Sequence, residues 1–482
     1  MSKPGTGNSP HTTSVHILDD YSLLNVFYLY RPFLLGEDQG LQIRSAGGEQ
    51  WVGERWWYRL AHVCQRWRNL ILQSASYLDL CLVCTYGTSV ADMLAHSPPL
   101  PLVIDYIHHH ITAEDEEAII IALEQRDRVR RIRFVNIPVL KLQKLISAID
   151  GEYPILEYLI LIDPFEERRS VCILPETLQA PHLLHLAIDC SIPIRSQLLG
   201  SAAGLVTLYL ELHHPSTYFQ PAVLLQSLSL LPQLEILLIG FHFPISNRDV
   251  KRQLMRTPTM TQVTLPNLRL LAFKAVSAYL EAILSRITAS RLKTFQIYYL
   301  KQLTFFVPQL LQFMGRIENL RFDRAEFNFC SERVYVKVNP SETNIPEDAF
   351  FINVDCWHLD WQVSAMAQIF NAFSQILSTV EHLTLSHDVH NLSFEEHNEV
   401  DRTEWRKLLR SFGNVKTLRI EDGLVTELSR CLPSEGGEHP LELLPELQEL
   451  TYSGSGNVNH DVFTSFIDGR QNASRPITLI KS

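Results

Sequence analysis

The side chains that could do chemistry are few and scattered. Cys81 and Cys84 form one C-x-x-C pair, but a zinc site needs four tetrahedral ligands and no second pair stands at the spacing that would complete it. The pair lies in an apolar run, YLDLCLVC, which reads as a buried strand. His108, His109 and His110 stand beside Asp105, yet three consecutive residues cannot all face one ion, so they read as a solvated loop. His390 and His397 flank Glu395 and Glu396 without the H-E-x-x-H spacing that puts two imidazoles on one helix face. The stretch Asp388 to Glu404 reads as an acidic surface loop. Neither G-x-x-x-x-G-K-[ST], G-x-G-x-x-G nor G-x-S-x-G occurs, so phosphate cradling and nucleophile-elbow chemistry have no footing. The expectation is a non-enzyme with no catalytic residue, no metal and no cofactor.

The elements that would position any site follow from composition and pattern. The chain has 482 residues, 46% hydrophobic and 20% charged, a composition that folds rather than stays disordered. Lysine and arginine number 42 against 53 aspartate and glutamate, a net charge of −11, which argues against nucleic acid and anionic lipid as partners. No apolar run is long enough to span a membrane, and Met1 to Pro10 lacks a charged-then-apolar signal. Eight sparse cysteines do not form a disulfide framework. A soluble protein of a reducing compartment, cytoplasmic or nuclear, is expected.

One pattern recurs: apolar, two residues, apolar, one residue, apolar. It runs through Val129/Ile132/Phe134, Leu156/Leu159/Leu161, Leu183/Leu186/Ile188, Leu205/Leu208/Leu210, Leu234/Leu237/Ile239, Leu268/Leu271/Phe273, Leu292/Phe295/Ile297, Ile317/Leu320/Phe322, Val380/Leu383/Leu385, Val415/Leu418/Ile420 and Leu447/Leu450/Tyr452. Starts are 22 to 35 residues apart except for one interval of 63. The last two apolar positions alternate as in a strand with one face inward, and amphipathic helical stretches fill the intervals, including Ala222 to Leu231, Tyr279 to Ile287, Ser364 to Leu377 and Thr403 to Phe412. Pro154, Pro181, Pro232, Pro266 and Pro445 each precede a unit by two residues and end the helix before it. No single unit can bury its apolar face; stacked units can, as a parallel sheet covered by helices. In the long interval, Val334, Val336 and Val338, then Phe350, Ile352 and Val354, alternate with polar residues and predict a β-hairpin insertion at about 330–360.

Between the last two apolar positions of each unit, the side chain should face the concave side, as should the one two residues earlier. The first set is Ile160, Ala187, Tyr209, Leu238, Ala272, Gln296, Arg321, Thr384, Arg419 and Thr451; the second starts at Tyr158 and runs through Ile236, Leu270 and Asn319 to Glu449. The early members are apolar, so Tyr158, Ile160, Tyr209, Ile236, Leu238 and Leu270 are the expected anchors for a client.

Ahead of the repeats, residues 17–30 place Leu23, Leu24 and Phe27 at helical spacing behind Asp19 and Asp20. A second amphipathic helix is predicted over Trp56 to Leu72, with Leu60, Val63, Cys64, Trp67 and Ile71 on one stripe. Two helices this small cannot hide both stripes, so some of that surface awaits a partner.

The L-x-x-L-x-L units resemble the leucine-rich repeat family, though without the Asn or Cys that the family places at the ninth position. The N-terminal residues resemble the F-box, whose L-P-x-E-L-L-x-x-I-F opening is carried by Leu18, Leu23, Leu24, Val26 and Phe27 and whose V-C-x-x-W-R closing by Leu60, Val63, Cys64, Trp67 and Arg68. Asp19 stands where that family has proline. Together the resemblances imply an α/β fold: a disordered N-terminus (1–14), a small all-α F-box-like module (15–75) with a Gly-rich insertion at about 31–55, and an irregular leucine-rich-repeat horseshoe solenoid (76–482). They imply the substrate receptor of a Skp/cullin/F-box ubiquitin ligase, contacting a Skp-type adaptor, and through it a cullin, by Leu18, Leu23, Leu24, Val26, Phe27, Leu60, Val63 and Trp67. The client protein is unnamed. The alternatives are a non-ligase scaffold whose helices only cap the solenoid, and a metal-dependent hydrolase using the His390 to Glu404 region.

Overall fold

A computed structural model describes residues 18–31, 55–107, 110–162, 172–190, 192, 196–243, 245–256, 260–317, 322–339, 349–374, 376–387, 402–421, 423–433, 442–453 and 462–481. The N-terminus (1–14), most of the Gly-rich insertion, His108, His109, His390, His397 and the acidic stretch up to Asp401 lie outside the described residues.

The strands are β1 (Leu82–Cys84), β2 (Leu102–Ile107), β3 (Val129–Val135), β4 (Tyr158–Ile162), β5 (His185–Asp189), β6 (Thr207–Leu212), β7 (Ile236–Phe241), β8 (Val263–Thr264), β9 (Leu270–Ala275), β10 (Ile287–Thr288), β11 (Thr294–Tyr299), β12 (Arg324–Phe329), β13 (Arg333–Asn339), β14 (Phe350–Asp355), β15 (His382–His387), β16 (Thr417–Ile420), β17 (Glu449–Tyr452) and β18 (Thr478–Lys481). Among the described residues β8 and β10 pair with each other, and the remaining sixteen form one open sheet ordered β1 to β7, β9, β11, β14, β13, β12, β15 to β18. Every neighbouring pair in it is parallel except the two made by β13. The architecture is an open, largely parallel sheet flanked by helices, of a generic α/β solenoid type.

The repeat pattern sets this register. Leu159, Leu186, Leu208, Leu237, Leu271 and Phe295 are Cα partners across consecutive strands and are all buried on the helix-covered face. A one-residue slip would turn that whole row to the other face. Helices between strands close the core: Val139–Ala148 contributes Leu142, Leu145 and Ile146, and Pro221–Leu228 contributes Leu224, Leu225 and Leu228. Neighbouring helices also cap one another. The Glu281 carboxylate accepts the N–H groups of Gln309 at 2.7 Å and Leu310 at 2.9 Å, satisfying donors at the start of helix Pro308–Met314 that have no partner within their own helix. Gln302 Oε1 does the same for Ser277 N–H, and Asn247 Oδ1 for Ala278 N–H.

Two sequence expectations are corrected here. The strand expected at Ile317/Leu320/Phe322 is instead β12, five residues later, where Phe322, Ala325 and Phe327 fill the three apolar positions and Ala325 pairs with Leu383; Asn319 and Arg321 lie outside the described residues. From β12 the chain turns back through antiparallel β13 to β14, which lies parallel to β11, so the valine-rich stretches are strands of the main sheet itself. The helix expected over Trp56 to Leu72 is broken into α2 (Trp56–Ala61) and α3 (Gln65–Gln73), preceded by α1 (Asp20–Tyr30). Extended backbone at Cys64 (φ −160°) makes the break, and Arg68 Nε satisfies the Ala61 carbonyl there at 3.0 Å.

Candidate interaction surfaces

The residues expected at interfaces fall in two regions: the N-terminal helices and the sheet face opposite the core. The Asp19 carboxylate accepts the Ser22 N–H at 2.7 Å and caps α1, which explains an acid where proline would also start a helix. Leu23 and Phe27 are buried, Phe27 edge-on against Trp67 at 4.9 Å, and both join the core continuous with the sheet. The C-terminal end of α1 is fixed by Arg31, which donates to Asp79 at 2.7 Å; Arg130 also binds Asp79 and reaches Glu157 at 2.8 Å. Burial works to raise the Asp79 carboxyl, but the two arginines outweigh it and hold it below the ordinary aspartate range.

Of the residues expected at an adaptor contact, Leu23 and Phe27 are therefore filled by the chain's own packing, and Leu24, Leu60 and Trp67 are half-buried. Leu18, Val26 and Val63 point outward, Val26 at 49% and Val63 at 59% exposure. Tyr21 and Leu29, which were not on that roster, are more exposed still, at 76% and 79%. Within α1, Leu23 and Phe27 are docked while Tyr21, Val26 and Leu29 are exposed, so the helix has a packed side and an outward side that carries large apolar residues.

On the open sheet face the expected rows are in register: Ile160, Ala187, Tyr209, Leu238, Ala272 and Gln296 are successive Cα partners. Packed side by side they cover one another. Tyr209 (2% exposed) and Leu238 (7%) are buried with Ala187 and Ala272, and half-exposed Ile160 and Leu270 pack against them. Tyr158 stacks on His185 at 4.3 Å beneath the Arg131 guanidinium, 4.7 Å from the Tyr158 ring, and Ile236 is half-exposed. The residues expected to anchor a client thus lie in adjacent cross-strand rows, with Tyr209 and Leu238 buried beneath the exposed surface. Arg324 and Glu326, rather than Asn319 and Arg321, continue the two rows on β12.

One row further along the strands lies a polar cluster not anticipated from sequence. Glu211, almost fully buried, is bonded to His242 Nε2, and Lys274 Nζ lies 3.1 Å from His242 Nδ1. The tautomer that donates from Nε2 leaves Nδ1 to accept from the ammonium. His213 Nε2 binds Asp189 Oδ1 at 2.7 Å and its ring stacks on His242 at 4.2 Å. The signal was present: Asp189, Glu211, Gly240 and Lys274 stand two positions beyond the row already read. Apolar surface flanked by fixed polar groups suits recognition, the first giving affinity and the second direction.

Burial pushes the Cys84 thiol up to about 12, as expected of a structural thiol in β1 rather than a metal ligand. Among the described residues no cluster of three or more His, Cys, Asp or Glu is placed to hold a metal ion, and no helix is long and apolar enough to cross a membrane. No protein-family profile and no curated protein matches this chain.

Proposed function

We propose that this chain is the substrate-recognition subunit of a Skp/cullin/F-box ubiquitin ligase, a non-catalytic adaptor that holds a client through the open sheet face. Catalysis would belong to other subunits, and tethering would act by raising the client's effective concentration near the charged enzyme. The observation that carries the reading is the outward stripe of the N-terminal helices. Leu18, Tyr21, Val26, Leu29 and Val63 are all solvent-exposed on a module whose other stripe is already packed. Large apolar side chains in such density are interface anchors when a partner covers them. On the sheet, Tyr158, Ile160, Ile236 and Leu270 would meet the client directly.

Co-purification with a Skp-type adaptor tests this. Wild type should retain the adaptor, and Val26→Asp with Val63→Asp should lose it without a change in thermal unfolding, because both side chains already face water. A folded wild-type protein that captures no such adaptor overturns the reading. A second reading, a scaffold whose helices only cap the array, is favoured by the Arg31–Asp79–Arg130 connection and by the unbroken core from Phe27 into the sheet; it predicts that the double variant changes no association at all.

A further inference from the structure

A cavity of about 820 Å³ opens between the N-terminal helices and the turn after β1. Its size falls within the range of small-ligand sites. Its walls are unusual for an acidic chain: Arg55 and Arg59 line it with Tyr30, Trp56, Tyr58 and Tyr86, and among the described residues no acidic side chain does. The walls are pre-set. Arg55 Nη2 is held by the Val83 carbonyl at 3.0 Å and by Thr88 Oγ1 at 2.9 Å. Tyr58 stacks on buried Trp57 at 4.2 Å, Tyr86 lies edge-on to buried Tyr106 at 5.1 Å, and Tyr30 faces Trp56 at 6.4 Å. Arg59 is exposed at the mouth, and among the described residues it has no ion-pair partner.

From this juxtaposition we propose that the cavity is a binding site for a small planar anion, an aromatic ring carrying a phosphate, sulfonate or carboxylate. Aromatic walls take the ring by stacking, and guanidinium groups take the oxyanion by charge-assisted hydrogen bonds. None of its lining residues is among the exposed Leu18, Tyr21, Val26, Leu29 and Val63, so the proposal does not depend on adaptor binding. A bound ligand would touch the helical module and the first turn of the array together.

The probes are 1-naphthyl phosphate and its uncharged counterpart 1-naphthol, titrated calorimetrically against the full chain. One equivalent of the phosphate should bind, and the naphthol should bind about tenfold more weakly or worse. Arg59→Gln should weaken the phosphate by about tenfold while leaving the naphthol unchanged, and Trp56→Ala should weaken both. Trp357→Ala, at an exposed tryptophan elsewhere on the chain, should alter neither. Equal affinity for the two probes, no effect of Arg59→Gln in a variant with wild-type thermal unfolding, or loss in Trp357→Ala with retention in Trp56→Ala each overturns the assignment.

Discussion

The Glu211 carboxylate lies against the Cα of Gly240 on the neighbouring strand, in the space that any Cβ at position 240 would occupy. Glycine is needed there for close approach and not for a special backbone angle, because Gly240 is ordinary strand residue. Gly240→Ala must therefore push the buried carboxylate off His242. A loss of about 1–3 kcal/mol in chemical denaturation is expected, the cost of a buried charged acceptor with a damaged partner. The Gly240→Ala, Glu211→Ala double variant should lose less than the sum of the singles. Strict additivity would show that the two positions do not meet.

Arg470 has a comparable role at the far end of the sheet. Wholly buried in helix Thr464–Asn472, it donates to the carbonyls of Leu444 and Leu447 at 2.9 Å and of Pro445 at 3.2 Å, all in the turn leading into β17. Burial pulls its basicity down, yet both Nη groups donate to carbonyls. Arg470→Met keeps the volume and removes every donor, so about 3 kcal/mol should be lost, and amide exchange in β17 and β18 should accelerate. Unchanged protection there would refute a capping role.

How much of this was legible in the sequence depends on distance along the chain. Leu205, Leu208 and Leu210 announce their strand because three large apolar residues sit within six positions. Phe322, Ala325 and Phe327 obey the same rule, but alanine is a weak marker and Ile317 nearby offered a stronger false start. The break at Cys64 was hidden because the apolar spacing continues through it; an extended Cys64 and the Arg68 bond to Ala61 decide it, and neither has a periodic signature. Arg470 reaches carbonyls 23 to 27 residues away, and Arg406 spans 25 residues to the Cys431 carbonyl. Such long-range bonds leave no local pattern. The Glu211–His242 pair is different, since the period-two alternation extended one step would have placed it on the open face.

Thiol reactivity provides a third prediction. Cys81, Cys84, Cys172, Cys190, Cys356 and Cys431 are buried, with burial pushing Cys84 up to about 12 and Cys431 up to about 11, while Cys64 and Cys330 are half-buried. Near neutral pH a disulfide reagent should label at most Cys64 and Cys330 rapidly in the native protein, and all eight cysteines in denaturant. Fast labelling of Cys84 in the folded state would contradict its place in β1.

His185 ties the stability of the open face to pH. Burial first, and the Arg131 guanidinium second, hold its imidazolium pKa down to about 4 against an ordinary 6.5. The unfolded chain therefore takes up a proton that the folded chain refuses, and the sign is fixed: this contribution is fully present above pH 6.5 and is lost as pH falls toward 4. With Tyr158 stacked on one face of the ring and Thr207 Oγ1 3.1 Å from Nδ1, protonation would place a cation beneath the same aromatic ring that Arg131 covers. Replacing His185 by glutamine keeps a polar group opposite Thr207 and removes the titration. Urea denaturation at a series of pH values should then show a shallower acid decline for His185→Gln than for wild type between pH 6.5 and 4, the two differing by about 2 kcal/mol at the acid end after allowance for solvent screening. Parallel profiles would mean that His185 titrates normally and that the Arg131, Tyr158 and His185 stack does not persist in solution.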